Sequence, residues 1–276
     1  MSSVPDPHGD LLLVGGGLAN CLIAWRLRQR RPDLPIRILE RGPHLAGNHT
    51  WCFHTGDLTP AQHRWLAPLV AHNWPRQEVR FPGRRRVLET GYHAITAEGL
   101  REAFEREGVA EVITGVEAQH LSPYAVTLAS GEEITAGGVI DGRGQRVSHH
   151  QTLGYQKFLG REWRCDRPHG QPHPLIMDAT VPQDDGYRFV YVLPLSEDRL
   201  LIEDTYYSDT PDLDGQGLRE AVTDYAEHQG WGLSELVREE NGVLPILLAG
   251  DPEGFWAEGP GGVARSGLAA GLFHPT

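Results

Sequence analysis

Residues 10–20 read DLLLVGGGLAN: a short apolar run, Asp10 to Val14, that enters three glycines with no polar segment between. An apolar run of that length bounded by a turn signal reads as a buried strand. Beyond the glycines, Leu18, Leu22, Trp25 and Leu27 recur near helical spacing as far as Gln29. Arg28, Arg30 and Arg31 then place cations where a helix dipole favours them. Pro32 and Pro35 close that helix, and Ile36-Arg37-Ile38-Leu39-Glu40 forms a second strand with an acid at its end. The N-terminus is therefore a β-α-β unit, the start of a parallel sheet.

Gly15-x-Gly17-x-x-Asn20 sits between strand and helix, where a pyrophosphate can rest on unpaired N–H groups. Gly15 permits the tight turn, and Gly17 lets the backbone approach a phosphate. The third position is Asn20 rather than glycine or alanine, so the fit to the dinucleotide fingerprint is partial. Glu40 follows Gly17 by 23 residues, the place for a carboxylate that accepts from a ribose hydroxyl and repels a 2′-phosphate. Further on, Val139-Ile140-Asp141-Gly142 reads as a buried strand running into Gly-Arg-Gly. Asp141 and Gly142 there resemble the second nucleotide contact of FAD-dependent hydroxylase-like proteins, which favours FAD over NAD.

Along the rest of the chain, Thr59-Pro60 reads as an N-cap with proline at the first helical position, opening a helix through 66–70. Glu78 to Phe81 reads as a strand, and the basic run Arg84-Arg85-Arg86 beside it reads as the solvated face of a hairpin in preference to a headgroup or phosphate contact. Thr96 to Glu107 reads as a helix, followed by strands near 111–113, 124–129 and 133–135 with a turn at Ser130-Gly131. Tyr187–Leu193 and Arg199–Thr205 read as an antiparallel hairpin, and Gly217–His228 as a helix. Glu203 and Asp204 close the apolar run Leu200-Leu201-Ile202. Neighbouring strand residues face opposite ways, so at most one of the two faces a given cavity. On spacing alone the pair is either a functional acid or an exposed strand end.

The chain has 276 residues, with 25 Lys and Arg against 37 Asp and Glu, a net charge of −12. That balance argues against a general nucleic-acid binder. The three cysteines, Cys21, Cys52 and Cys165, form no CxxC pair, so neither a disulfide scaffold nor a structural zinc site is expected, and a reducing compartment fits. The 14 histidines make no HExxH or similar spacing, so no metal is expected. No stretch approaches the ~20 apolar residues of a membrane span, and Met1 to Gly9 lacks the basic start of a signal peptide. Glycine, 33 residues, is well above the usual ~7%.

The stretches DLLLVGGGLANCLIAWRL, GNHTWCFH, VIDGRG, GYRFVYVLPL, RLLIEDT, EENGVLPI and GLFHPT, in that order from residue 10 to the end, resemble the bacterial lycopene beta-cyclases of carotenoid biosynthesis. The resemblance implies an α/β fold: a Rossmann-like FAD-binding domain of the FAD-dependent hydroxylase type, interrupted by a substrate domain with an antiparallel sheet. In this chain the FAD-binding domain would be 1–50, 94–147 and 246–276, and the substrate domain 51–93 and 148–245. It implies reduced FAD with NADPH as electron source, lycopene as substrate, beta-ionone rings as product, no net oxidation, and a cytoplasmic enzyme on a membrane surface.

Carried over residue by residue, Gly15 and Gly17 would cradle the pyrophosphate and Glu40 the ribose. Glu203, with Asp204 beside it, would be the acid/base carboxylate. Phe273, His274, Pro275 and Thr276 would begin a loop toward the flavin. Trp51, Phe53, Tyr187 and Tyr191 are aromatic candidates for stabilising a cation. Ala46, Cys52 and Tyr206 depart from the family pattern, where glycine, serine and histidine are usual. The family continues beyond FHPT, so a further C-terminal segment is expected to complete the flavin site. The competing readings are a flavin monooxygenase or isoprenoid reductase on the same scaffold, and a non-catalytic FAD-binding module.

Overall fold

In the computed structural model, which describes residues 9–183 and 186–273, the chain divides into two units. Of the described residues, one unit takes in those up to Asn48, Thr96–Thr152 and those from Leu247 onward; the other takes in His49–Ile95 and Leu153–Ile246.

The first unit is built on a five-stranded sheet in the order Ala264–Arg265, Gly138–Asp141, Leu11–Val14, Ile36–Glu40, Glu111–Thr114. Every neighbouring pair is parallel. A parallel sheet is covered on both faces, which is why its strands are continuous apolar runs; Leu12, Leu13 and Ile38 are fully buried. The helices Leu18–Arg30 and Ala97–Glu107 bring Trp25 and Phe104 together, ring centroids 6.3 Å apart. Thr96 caps the second helix by accepting from the Gly99 N–H at 3.1 Å, and Gly108 ends it at φ 55°. An antiparallel meander, Ala118–Ser122, Ala125–Leu128 and Glu133–Thr135, packs Val126 and Leu128 against Leu12, Val14, Leu39 and Val139. The run of three strands expected after the helix is thus four. The first, Glu111–Thr114, joins the parallel sheet, and Ala118–Ser122 was hidden because its side chains are mostly exposed and polar.

The second unit centres on a seven-stranded sheet in the order Leu233–Gly250, Gln151–Cys165, Arg199–Ser208, Arg188–Pro194, Leu175–Asp178, Gln77–Phe81, Arg84–Leu88. The expected 187–205 hairpin is its centre, with Tyr191 opposite Glu203 and Val190 opposite Asp204. On one face Val190, Val192, Leu200 and Ile202 pack against Val222, Tyr225 and Ala226 of the helix Gly215–His228. On the other face Leu193, Leu201 and Tyr191 meet Tyr92, Cys52 and Trp74 of a three-stranded sheet, Thr50–His54, Tyr92–Thr96, His72–Trp74. Thr59 opens the helix Pro60–Leu66 with a reciprocal capping box to Gln62, as the Thr-Pro signal required. The Arg84–Arg86 run is one arm of a hairpin with Gln77–Phe81, and Arg85 donates to the buried Glu78 at 2.9 Å.

One expectation needs correcting. The strand expected to run from Arg199 to Thr205, with Glu203 and Asp204 closing it, continues to Ser208, so Glu203 and Asp204 lie mid-strand. Pairing on both sides, with Gly160 and Tyr191 flanking Glu203 and Leu159 and Val190 flanking Asp204, carries the ladder through two charged residues.

Candidate active site and cofactor cleft

The first unit holds a cleft of about 510 Å³ at the ends of its parallel strands, lined among others by Gly15, Gly17, Glu40, Arg41, Gly142 and Arg143. Gly15 has φ +95°, and a Cβ there would lie 2.5 Å from the Gly142 oxygen, so only glycine allows the two turns to touch. Gly17 is different. It is the N-cap of the helix, at φ −75°, with no side chain capping the helix end. A Cβ on Gly17 would meet nothing within 4 Å. The space it leaves is the cleft itself, at the positive end of a 13-residue helix.

Glu40 reaches the cleft with its carboxylate held by backbone, accepting from the Gly16 N–H at 2.7 Å and the Gly42 N–H at 2.5 Å. Asp141 is buried and accepts from the Arg143 backbone and, through both oxygens, from its guanidinium at 2.9 and 3.0 Å. Asn20 is buried beneath the loop rather than in the cleft lining. Its amide donates to the Val14 and Gly15 oxygens at 3.1 and 2.8 Å, and its Oδ1 accepts from Ser266 at 2.6 Å. Its side chain braces the turn. Phe273 is the last described residue, part-buried; His274, Pro275 and Thr276 lie outside the described residues.

Arg146 was not singled out by the sequence. It lines the cleft, and its Nε and Nη2 are buried with no hydrogen-bond partner among the described residues. Buried guanidinium donors left without acceptors are costly unless an anion meets them. An uncapped helix N-terminus, a missing Cβ at Gly17, the Arg146 cation in the lining and an oriented Glu40 carboxylate fit a dinucleotide's pyrophosphate and ribose.

In the second unit Glu203 and Asp204 face opposite ways. Asp204 is fully buried toward the helix-covered face and is gripped by Arg188, which donates to Oδ1 at 2.9 Å and to Oδ2 at 2.6 Å. Burial raises its pKa and Arg188 opposes the rise. The expected catalytic pair is therefore divided by the sheet, and Asp204 carries a structural ion pair. Glu203, part-buried, accepts from the Thr205 hydroxyl at 2.8 Å and has no ion-pair partner among the described residues. Burial pushes its pKa up to about 8, with the charge of Glu240 adding to the rise.

Around Glu203 the face is aromatic and protonated. Tyr191 donates to the Tyr92 hydroxyl at 3.0 Å, and Cys52 bonds to both. Burial raises both tyrosines well above their usual range and pushes Cys52 to about 12. Of the four aromatic candidates, Tyr191 is the one that the strand register sets beside Glu203. Tyr187 stacks with Phe189 and Tyr207 further along, while Phe53 stacks on His93 with ring centroids 4.9 Å apart and Trp51 packs near His49. Among the described residues no group of three or more His, Cys, Asp or Glu could hold a metal ion, and no helix is long and apolar enough to cross a membrane.

The fold is that of FAD-dependent oxygenases and their reductase relatives. A probable FAD-dependent monooxygenase from Pseudomonas aeruginosa superposes with a TM-score of 0.62 at 15% identity, covering 94% of this chain and 78% of that one. A geranylgeranyl bacteriochlorophyll reductase-like protein from Thermoplasma acidophilum does so at 0.62 and 14%, covering 97% and 72%. Within that fold the family is specific: the profile described as "Lycopene cyclase protein" matches residues 10–276, and the chain belongs to that family. A lycopene beta-cyclase from Pseudescherichia vulneris is 56% identical over 267 residues, which are 97% of this chain and 69% of that protein. One from Pantoea ananas is 51% identical over 271 residues, 98% of this chain and 70% of that protein.

Proposed function

We propose that this chain performs lycopene beta-cyclisation, with FAD bound at the glycine-loop cleft and Glu203 as the acid. The observation that carries the reading is Glu203 itself: a carboxyl without an ion-pair partner among the described residues, on an aromatic face, with its pKa raised to about 8. Protonating an isolated alkene requires an acid that still holds its proton near neutrality, in surroundings poor in water.

Glu203 delivers a proton to a terminal double bond of the acyclic end. The electron pair of a neighbouring double bond then closes the ring and moves the positive charge into it. The Glu203 carboxylate, left by the first step, takes a proton back from the ring; the C–H electron pair becomes the new double bond, so atoms and electrons balance and the product is an isomer. Tyr191 and Tyr92 offer π faces and hydroxyl dipoles, rather than competing bases, to the positive charge. The fully buried Leu201 and Leu193 keep that face dry. When bound, reduced FAD would supply negative charge that favours a cationic intermediate. Gly17, Arg146 and Glu40 would hold its pyrophosphate and ribose, and NADPH would serve as the electron source. The substrate's insolubility in water takes the protein to the cytoplasmic surface of a membrane.

The test is Glu203→Gln in flavin-loaded protein supplied with lycopene. Retained flavin with lost ring formation supports the reading. An oxygenated or hydrogenated product from the wild type would sink it in favour of a monooxygenase or reductase.

A further inference from the structure

Glu240 lies on Leu233–Gly250, two strands from Glu203, with Gln151–Cys165 between them. Gly160 on that middle strand pairs with Glu203. A Cβ on Gly160 would lie 3.2 Å from Glu240 Cγ and 3.5 Å from Glu203 Cβ, so both acids border the one place in the row that has no side chain. Glu240 is only 2% exposed, yet it is fully held: Arg238 donates to its Oε2 at 2.5 Å and Thr50 at 3.2 Å. Arg238 also donates to Thr50 at 2.6 Å and to Glu162 at 2.6 Å, and Glu162 in turn pairs with Arg199. Two arginines and two glutamates thus neutralise one another, and Glu203 is the odd carboxyl next to a closed network.

Resting on the reading of Glu203 as the acid, we propose that Glu240 is its positioning residue: an anchored carboxylate across the Gly160 gap that keeps the proton on Glu203. Like charges this close cannot both be ionised cheaply. The one in direct contact with Arg238 keeps the charge, and the one with only a threonine hydroxyl keeps the proton. Burial raises Glu240 as well, and Arg238 and Thr50 oppose the rise without cancelling it.

The other titratable groups facing the pair do not change charge in the working range. Cys52, Tyr92 and Tyr191 are raised. His49 and His72, near Arg238, are lowered by burial, which favours their neutral forms. Asp204, on the far face, is ion-paired to Arg188.

The pH–activity profiles of flavin-loaded wild type, E203Q, E240Q and E240D test this, with flavin content and circular dichroism as folding controls. The wild type loses activity as pH rises and Glu203 ionises. In E240Q that limb moves to lower pH by about one unit, because a neutral neighbour no longer opposes ionisation. E240D, which keeps the charge, restores the limb toward its wild-type position. A second readout needs no turnover: the infrared carbonyl stretch of protonated Glu203, identified by its loss in E203Q, titrates at lower pH in E240Q.

A folded E240Q with an unmoved limb overturns the proposal while leaving Glu203 as the acid. Full activity in E203Q would instead remove the reading on which it rests. Should E240Q fail to fold, the wild-type minus E240D difference spectrum decides. Carboxylate bands at pH 7 support the proposal, and a protonated-acid band there overturns it.

Discussion

Glu40 and Asp141 stand at the ends of parallel strands in the first unit, and their oxygens are filled by the N–H groups of Gly16, Gly42 and Arg143 and by the Arg143 guanidinium. Glu203 stands in the middle of an antiparallel strand in the second, where the Thr205 hydroxyl donates to it. The cause is backbone arithmetic. Where a strand ends, the following turn has N–H groups with no ladder partner, and a carboxylate can take them. Within a ladder every N–H is already committed, so an acid there must find a cation or keep its proton. Strand ends therefore suit binding by fixed charge, and strand middles suit proton chemistry.

The largest effect that would break this comparison is loss of the acid. E203Q is expected to lower ring formation at least ~100-fold, the scale of a general acid, with flavin content unchanged. A mild loss would return Glu203 to the same static role as Glu40. Next comes Asp204, one residue away on the opposite face. D204N leaves Arg188 facing a neutral amide and should cost about 2–3 kcal/mol of stability, less than a fully buried pair because Arg188 is partly exposed. Chemical denaturation measures it, and a catalytic defect without destabilisation would make Asp204 a partner of Glu203.

Gly17→Val sharpens the binding side. The position has an ordinary φ and no protein atom within 4 Å of a Cβ, so the variant should fold with wild-type Tm. It should bind FAD at least ~10-fold more weakly, a difference of ~1.4 kcal/mol. Unchanged affinity by fluorescence titration would mean the loop is only a turn. Gly15→Ala is the contrast, since its clash with Gly142 should lower Tm instead.

A further effect, on stability rather than on binding or turnover, is its pH dependence. Glu203 has a folded pKa near 8, above the 4.5 of an unperturbed glutamate. The native state therefore binds the extra proton, and stability falls as pH rises from about 4.5 through 8. E203Q removes that slope, so its Tm should match the wild type near pH 5 and exceed it at pH 8. Parallel curves would mean Glu203 is ionised throughout.

Local signals made the first unit readable. Strand Leu11–Val14, helix Leu18–Arg30 and strand Ile36–Glu40 each carry their own pattern and follow one another directly. Thr96 caps its helix in the first unit, and in the second Thr59 announced its helix in the same way. The two longest strands gave no such signal. Gln151–Cys165 is buried over five consecutive residues, 156–160, and includes Gln156 and Lys157, so it shows no alternation. Leu233–Gly250 contains Asn241-Gly242 and Pro245, which read as a break. Gly242 is there because a Cβ would lie 2.5 Å from the Phe158 ring, a contact with a residue far along the chain.

Sequence alone determined the β-α-β start, the glycine loop and Glu40 at its strand end, because each is a local pattern, and the family motif brought Glu203 forward as a candidate acid. The tertiary structure alone decided which acid is which. Asp204 acquires Arg188, Glu240 acquires Arg238 and Thr50, and Glu203 is left beside Tyr191 and the bare backbone of Gly160. A carboxyl's proton affinity depends on the charge and water around it. In this sheet, residues on four different strands and on Thr50–His54 set both.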